Sequence, residues 1–515
     1  MKTLITSILL LGMSLISSAQ TTNVLIGEPL DSWAPNEPSV CINPKNPDEI
    51  IIGANADNYY SSADGGVTWT HGVLASSYGV NCDPVILCDT AGNFYYFHLV
   101  PSLSRVVCQK KNGFGSPWTN GSYTALYGTM EIDKEWATFD PQSGNLYASW
   151  SRFDKWGSSN PDDSTFIYMA GSTDGGLTWS DQHLVSNIGG NATGGNGSVH
   201  GSYPTTGPEG EVYIAWWSPA GLMFDKSTDQ GETWLDTDIN VTSALVPWIY
   251  SLPGIQLGVT FPVINCDRSN GPFRGTIYIN WSDKRNGGND CDVWLVRSTD
   301  GGSTWSDPVR VNDDPPDKQQ FFSFMTVDQV TGKIYILFYD RRNYSDLNTD
   351  VYLAVSEDGG QTFANYKISE TPFIPFSTVF FGHYIGISAN DDHVFATWMR
   401  MDNGELSIWG ASIDPHTVGM AQLPAIPVSL SQNSPNPFAE YTFFSFKLEE
   451  RSEVSLSVID LLGNHLATLI DHRLMQAGKH VIEFNPEKYN LAPGVYHYSL
   501  VTDNRTITKK MIYGK

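Results

Sequence analysis

The sequence predicts an all-β protein: a β-propeller of seven blades, with six as the alternative, followed by a small antiparallel β-sandwich. Three observations carry that expectation. The stretch STDGGSTW (298–305) returns with small changes four more times. Around each copy lie short segments in which apolar and polar residues alternate, the period-two pattern of strands packed in layers. With 12% aromatic residues, 47 Gly, 29 Pro and only 17% charged residues, the composition suits short strands and tight turns rather than long solvated helices.

At 515 residues the chain is long enough for at least two domains. It opens with MKTLITSILLLGMSLISSAQ: one Lys, an apolar run from Leu4 to Ile16, then a small-residue exit. That run is too short to cross a bilayer and reads as a secretory signal peptide over residues 1–19. No Cys follows the cleavage point, so no lipid anchor is expected, and no later segment reads as a membrane span. The six Cys fit an exported protein; Cys266 and Cys291 either pair or serve as small buried hydrophobes. A net charge of −25 excludes nucleic acid and anionic membrane surfaces as partners.

Residues 20–420 hold the repeat. The aromatic closing each copy falls at Trp69, Trp179, Trp234, Trp305 and Phe363, and a worn copy, KNGFGSPWTNG (111–121), places Trp118 in the one double-length gap. A unit of that size fits a four-stranded blade with its loops. Four strands, A to D, can be read in each unit: FMTVD (324–328), KIYILFY (333–339), DVYLAVS (350–356) and, in the preceding unit, SDPVRV (306–311). The last unit (384–413) offers only three strands, YIGISAN, HVFATWMRM and ELSIWGASI. The unpaired NVLIGE (23–28) is expected to supply its fourth and so close the ring, since an open sheet edge is a liability.

In each copy an aspartate can accept backbone N–H groups within its own turn, a glycine tolerates positive φ, and the aromatic covers the corner. The aspartates are Asp64, Asp174, Asp229, Asp300 and Asp358. The copies resemble the Asp-box, or bacterial neuraminidase repeat, S-x-D-x-G-x-T-W, of the sialidase superfamily. The resemblance covers much of residues 24–420 and implies a sialidase-like propeller that binds or processes glycans. The box is the C–D turn, so a meander places it on the face opposite the B–C loops. Repeated in most blades, it is expected to be structural.

Chemistry is expected on the other face. There the B–C loops SRFD (151–154), SDKRNGGNDCD (282–292), YDRRNY (339–344) and MRMD (399–402) bring Arg152, Arg285, Arg342 and Arg400. Arginine holds a carboxylate bidentately, so these four are the candidate ligand-binding residues. The approaches to strand A add Glu37, Glu135, His200, Tyr203, His383 and Tyr384. An acid with a Tyr or Glu can cleave a glycosidic bond, which makes Glu135, Asp283, Asp340 and Tyr384 the candidate catalytic residues of a glycoside hydrolase of sialidase type. Resemblance to true sialidases would imply a three-Arg clamp on a sialate carboxylate, starting from an early F/Y-R-I-P motif. Here no Arg precedes Arg105 and NEPSV (36–40) stands in that place, which demotes exo-α-sialidase to an alternative. The other alternative is a non-catalytic adhesion or interaction propeller in which Asp283–Arg285 and Asp340–Arg342 are braces. The Asp-rich loops 286–292 and 343–350 offer calcium oxygen ligands, but turn chemistry accounts for them equally, and no metal or cofactor is assigned.

After Pro415 the character changes. A Pro-rich linker (421–433) leads into alternating strands over 434–515. SPNPF (434–438), LLGN (461–464), LAPGVYHYSL (491–500) and KKMI (509–512) resemble the type A C-terminal sorting domain of the type IX (Por) secretion system of Bacteroidota. That resemblance implies secretion or attachment to the outer-membrane surface, with the secretion machinery as partner. The expected partners are therefore a glycan or glycoprotein ligand and that machinery, for a protein expected to be a monomer.

Overall fold

A computed structural model describes residues 22–30, 34–124, 128–243, 248–416, 428–448, 451–460, 465–502 and 505–514. The expected signal peptide, the linker up to residue 427 and the LLGN segment lie outside the described residues. The chain divides into two compact units, Met1–Met420 and Ala421–Lys515.

Among the described residues of the first unit, seven four-stranded antiparallel sheets follow one another along the chain; the third adds a short fifth strand, Gly190–Asn191, and a two-stranded ladder, Ile249–Tyr250 with Gly258–Val259, lies between the fourth and the fifth. The stretch with the worn box still makes a full four-stranded sheet, beginning at Val85–Cys88. The first strands are Ser39–Ile42, Val85–Cys88, Glu131–Phe139, His200–Thr206, Val263–Cys266, Gln320–Val327 and Gly386–Asn390. Each touches the next, and the last touches the first, so they form a closed ring about one axis. Second strands such as Ile334–Asp340 are buried along their whole length because a neighbouring sheet covers each face. The seventh sheet takes its outer strand, Val24–Gly27, from the start of the chain, with Val24 opposite Gly410 and Leu25 opposite Trp409. Asn23 extends the latch to the sixth sheet, donating from Nδ2 to Ile368 O at 2.9 Å and accepting from Glu370 N at 2.8 Å.

The five boxes share one geometry. In the fifth sheet, Asp300 Oδ1 accepts from Ser298 Oγ (2.8 Å) and Thr304 N (2.9 Å), Oδ2 accepts from Thr304 Oγ1 (2.6 Å), and Gly302 N donates to Ser298 Oγ (2.8 Å). These bonds, the threonine hydroxyl first, hold Asp64, Asp174, Asp229 and Asp300 down at about 2. The residue after the aspartate is left-handed: φ is 70° at Gly301 and 64° at Gln230, where glycine is replaced. The next glycine has a second role that the sequence does not announce. A Cβ at Gly66, Gly176, Gly231, Gly302 or Gly360 would collide with Phe395, Cys108, Met169, Phe224 or Leu295, each a residue of the preceding sheet. Trp69 lies 5.3 Å from Phe395 and Trp305 lies 5.2 Å from Phe224. The box thus braces a turn and fastens neighbouring sheets together.

The second unit contains two sheets. One is built of Val428–Leu430, Thr442–Leu448 and Gly478–Phe484, the other of His465–Met475, Ser452–Ile459, Gly494–Thr502 and Arg505–Tyr513. Alternate residues of both, among them Phe444, Phe446, Val454, Leu456 and Tyr498, enter one apolar core. Phe438 of SPNPF joins it, 5.5 Å from Tyr513.

All six cysteines are free thiols. Cys266 and Cys291 do not pair: both are buried, one bonded to Asp267 O and the other to the Tyr250 hydroxyl. They act as small core residues.

Candidate functional site

Turn geometry separates the two poles of the ring. Every box lies in the turn between third and fourth strands; the other pole gathers the turns between second and third strands and the approaches to the first strands. On that pole the chain kinks at a recurrent position, two residues before the ladder of strand A begins or, in the third, fourth and sixth sheets, resumes after a slip. Glu37, Asp83, Lys134, Gly201 and Phe322 occupy it at φ 51°, 57°, 49°, 70° and 51°, and Phe261 and Tyr384 stand at the same position in the fifth and seventh sheets. The ladder slips at this point in the third, fourth and sixth sheets, as a bulge re-aims a side chain. These kinks bring residues from different sheets together at the axis.

Below the kinks the axis is filled. Trp136 stacks on Tyr203 (4.7 Å) and meets Phe324 (5.4 Å) and Tyr384 (5.3 Å). These residues belong to the third, fourth, sixth and seventh sheets, so their contacts cross the centre and leave a cavity of only about 20 Å³. Lys134 Nζ sits 3.5 Å above the Tyr384 ring at this floor. Above it opens a cleft of about 260 Å³.

One wall of the cleft is acidic: Glu37, Asp83 and Asp133 line it with Asn55. Glu37 Oε1 accepts from His383 N and Oε2 from Asn55 Nδ2, both at 2.8 Å. Asp83 N donates to Asn55 Oδ1 (3.0 Å), and Asp83 Oδ2 accepts from Lys134 N (3.3 Å). Asp133 Oδ1 accepts from the same N–H (3.0 Å), and its Oδ2 lies 3.2 Å from Trp156 Nε1 and 3.6 Å from His200 Nε2. Burial and then the Asp83 charge lift Glu37 and Asp133 well above the ordinary carboxylate range. Burial, with the Lys134 charge, pushes His200 and His383 down to about 3, so both are neutral at physiological pH. The facing wall is apolar, formed by Trp248, Leu257, Val259, Phe261 and Phe380. Acceptors on one side and ring faces on the other suit a ligand with hydroxyls on its rim and C–H groups on its faces.

The expected site residues divide. Glu37, His200 and His383 line the cleft; Tyr203 and Tyr384 lie at its aromatic floor. Glu135 is fully buried, its carboxyl oxygens have no partner, and it lines neither cavity. A residue with no route to solvent does not meet a substrate, so its catalytic assignment fails. The arginine clamp fails for a different reason. Arg285 grips Asp283 through Nε and Nη2 (2.9 and 2.7 Å) and lies 4.6 Å from the Trp294 ring. Arg342 Nε donates to Asp340 Oδ2 (2.7 Å) beneath a 4.2 Å contact with Tyr352, and Arg400 Nε donates to Asp402 Oδ2 (2.6 Å) near Trp409. Arg152 stacks on Tyr168 at 4.3 Å, 3.9 Å from Asp154. The pattern repeats: an aspartate two residues away and an aromatic from the third strand hold each arginine, and none of the four lines the cleft. Asp283 and Asp340 are thereby braces, not catalytic groups. In the two Asp-rich loops, Asp292 and Asp350 accept from protein donors, including Asn286, Arg310, Tyr344 and Lys367. Among the described residues no group of three or more His, Cys, Asp or Glu is arranged to hold a metal ion.

Sequence reasoning missed Asn55, Asp83, Asp133, Lys134, Trp156 and Phe261. A signal was available. Aligning the residues just before the ladder of strand A begins or resumes sets Asn36-Glu37-Pro38, Cys82-Asp83-Pro84, Asp133-Lys134-Glu135 and Thr260-Phe261-Pro262 in register.

Residues 434–514 match the secretion system C-terminal sorting domain. The second unit is therefore a sorting tail, and it directs the chain through the type IX system to secretion or the cell surface. Among the described residues no helix is long and apolar enough to cross a membrane. No curated protein matches the chain in sequence. Among solved structures it is similar to a Hadza microbial sialidase (14% identity, 72% of this chain and 74% of that one, TM-score 0.41). It is also similar to the NanB sialidase of Streptococcus pneumoniae (10%, 78% and 96%, 0.42) and a fungal alcohol oxidase of the AA5 family in complex with copper (11%, 96% and 100%, 0.46). At those identities and scores none of these likenesses bears on activity.

Proposed function

We propose that the chain is an exported, sialidase-like β-propeller of seven blades, acting as a monomer, that binds or processes glycans in the axial cleft. The observation that carries this reading is the cleft itself. Acidic side chains from three sheets face an aromatic wall over a closed floor, a concave, pre-formed place for a polyhydroxylated ligand. Hydrolysis is the second reading, favoured by Asp133. A carboxyl group held above its ordinary range keeps its proton near neutral pH and can act as a general acid, with Glu37 and Asp83 available as partners. Cleavage of sialosides is not expected, because no arginine among the described residues lines the cleft to hold a sialate carboxylate.

The test is retention of the full chain on a glycan array, paired with turnover of fluorogenic glycosides. Binding that Asp83→Asn weakens supports the cleft. Turnover lost in Asp133→Asn would add catalysis, while binding without turnover leaves an adhesive module. Retention on no glycan at all would overturn the reading.

A further inference from the structure

The cleft also carries information about which sugars it admits. Three carboxyl groups share its acidic wall, with Lys134 as their one cationic neighbour in the lining. Burial, and after it the Asp83 charge, keeps Glu37 and Asp133 from ionising, and the same burial and charge would act on a carboxylate that a ligand brought into this lining. Two polar atoms are buried without hydrogen-bond partners: Lys134 Nζ, which lies over the Tyr384 ring, and His383 Nε2; both residues line the cleft.

Trp156 supplies a second, independent observation. It lines the rim of the cleft and is 49% exposed, the only tryptophan so exposed among the described residues. Exposed indole is disfavoured in water, yet this one is tethered: Nε1 donates to Asp133 Oδ2 at 3.2 Å and the backbone N donates to Glu131 Oε2 at 2.8 Å. Gly194 lies against the ring where a Cβ would come within 3.2 Å. An ordered aromatic platform beside hydrogen-bond acceptors is suited to the C–H face of a pyranose.

We propose that the cleft takes a sugar residue free of carboxylate, its apolar face laid on Trp156 and its hydroxyls donated to Glu37, Asp83 and Asp133, and that uronate and sialate residues are excluded. This rests on the glycan reading above and names its ligand class. Lys134 then donates to a ligand oxygen, and His383 Nε2 meets a ligand hydroxyl.

The experiment is calorimetric titration of the full chain with matched probes: oligogalactosides against oligogalacturonides of equal length, and lactose against sialyllactose. The neutral member of a pair should bind roughly tenfold tighter or more, and Trp156→Ala should weaken it by a similar factor without changing the melting temperature. Asp83→Asn should narrow the gap by improving the acidic probe. Acidic probes that bind as tightly as neutral ones would sink the exclusion while leaving a glycan-binding cleft. Affinity for neither class, across the array as well, would instead remove the glycan reading beneath it. Neutral binding untouched by Trp156→Ala would show that the sugar lies elsewhere.

Discussion

Replacing Arg342 by alanine decides whether the loop arginines hold the fold or a ligand. Asp340 is fully buried and takes its strongest support from Arg342, through Nε at 2.7 Å and the backbone N at 2.6 Å, with a weaker bond from Gln320 at 3.1 Å. Removing the guanidinium leaves a buried carboxylate uncompensated wherever Asp340 is ionised, a loss of about 3–5 kcal/mol at the alkaline limit. For a unit of about 400 residues the unfolding entropy converts that into a drop of roughly 4–6 °C in Tm. The deficit should also depend on pH. Burial already lifts Asp340 to about 7 despite its partner, so it binds its proton more tightly folded than unfolded, and its ionisation costs stability as pH rises through that value. Without Arg342 the group moves higher still. The gap between variant and parent should then be smallest at about pH 5.5, where Asp340 carries its proton in both, and widen as pH rises past about 7 towards the variant's own higher value. Asp340→Asn in the same chain should recover part of it. Differential scanning calorimetry across that pH range, with glycan binding measured alongside, reads both effects. An unchanged Tm with lost binding would refute the brace and return Arg342 to the ligand.

Asp300→Ala should lower the melting temperature and leave the cleft's affinity unchanged, since the box lies at the opposite pole; lost binding at an unaltered Tm would contradict this. Because the box aspartates are held at about 2, their contribution is full above the ordinary carboxylate range and fades as pH falls towards 2. An acid titration followed by tryptophan fluorescence should therefore show a shallower transition when two boxes carry alanine. Phe444→Ala removes a fully buried ring stacked 4.2 Å from Tyr498. A loss of about 3–5 kcal/mol should unfold so small a unit and trap the chain before the cell surface, read by fractionation; normal export would count against it. Ile26→Asp places a charge in the outer strand of the closing sheet, where Ile26 is buried, and should yield aggregates on size-exclusion chromatography as the strand detaches and leaves an edge unpaired.

The all-β architecture was legible because the box repeats and its strands alternate, and the latch because 384–413 holds one strand too few. The sorting tail was legible from its own motifs. The site was only half legible. Arginine and aspartate in the same loops read as a ligand clamp, but sequence spacing cannot reveal that Arg285 and Arg342 turn back on the carboxylates two residues before them. Asp83 and Lys134 were passed over because their importance comes from a left-handed kink, a property of the backbone that no side-chain pattern spells out for a non-glycine residue. Trp156, in an unremarked loop, reads as one more aromatic until its exposure is known.

The latch has a consequence for timing. Val24–Gly27 and Glu405–Ile413 are neighbours in one sheet yet stand at opposite ends of the first unit. As the polypeptide leaves the ribosome, its earliest strand must wait, unpaired, until nearly the whole unit has been synthesised, and entropy makes that encounter the slowest of the pairings. The address that sends the product outward is translated only afterwards. Any polypeptide displaying the address has thus already made every strand its ring requires, and a copy terminated before Glu405 lacks both.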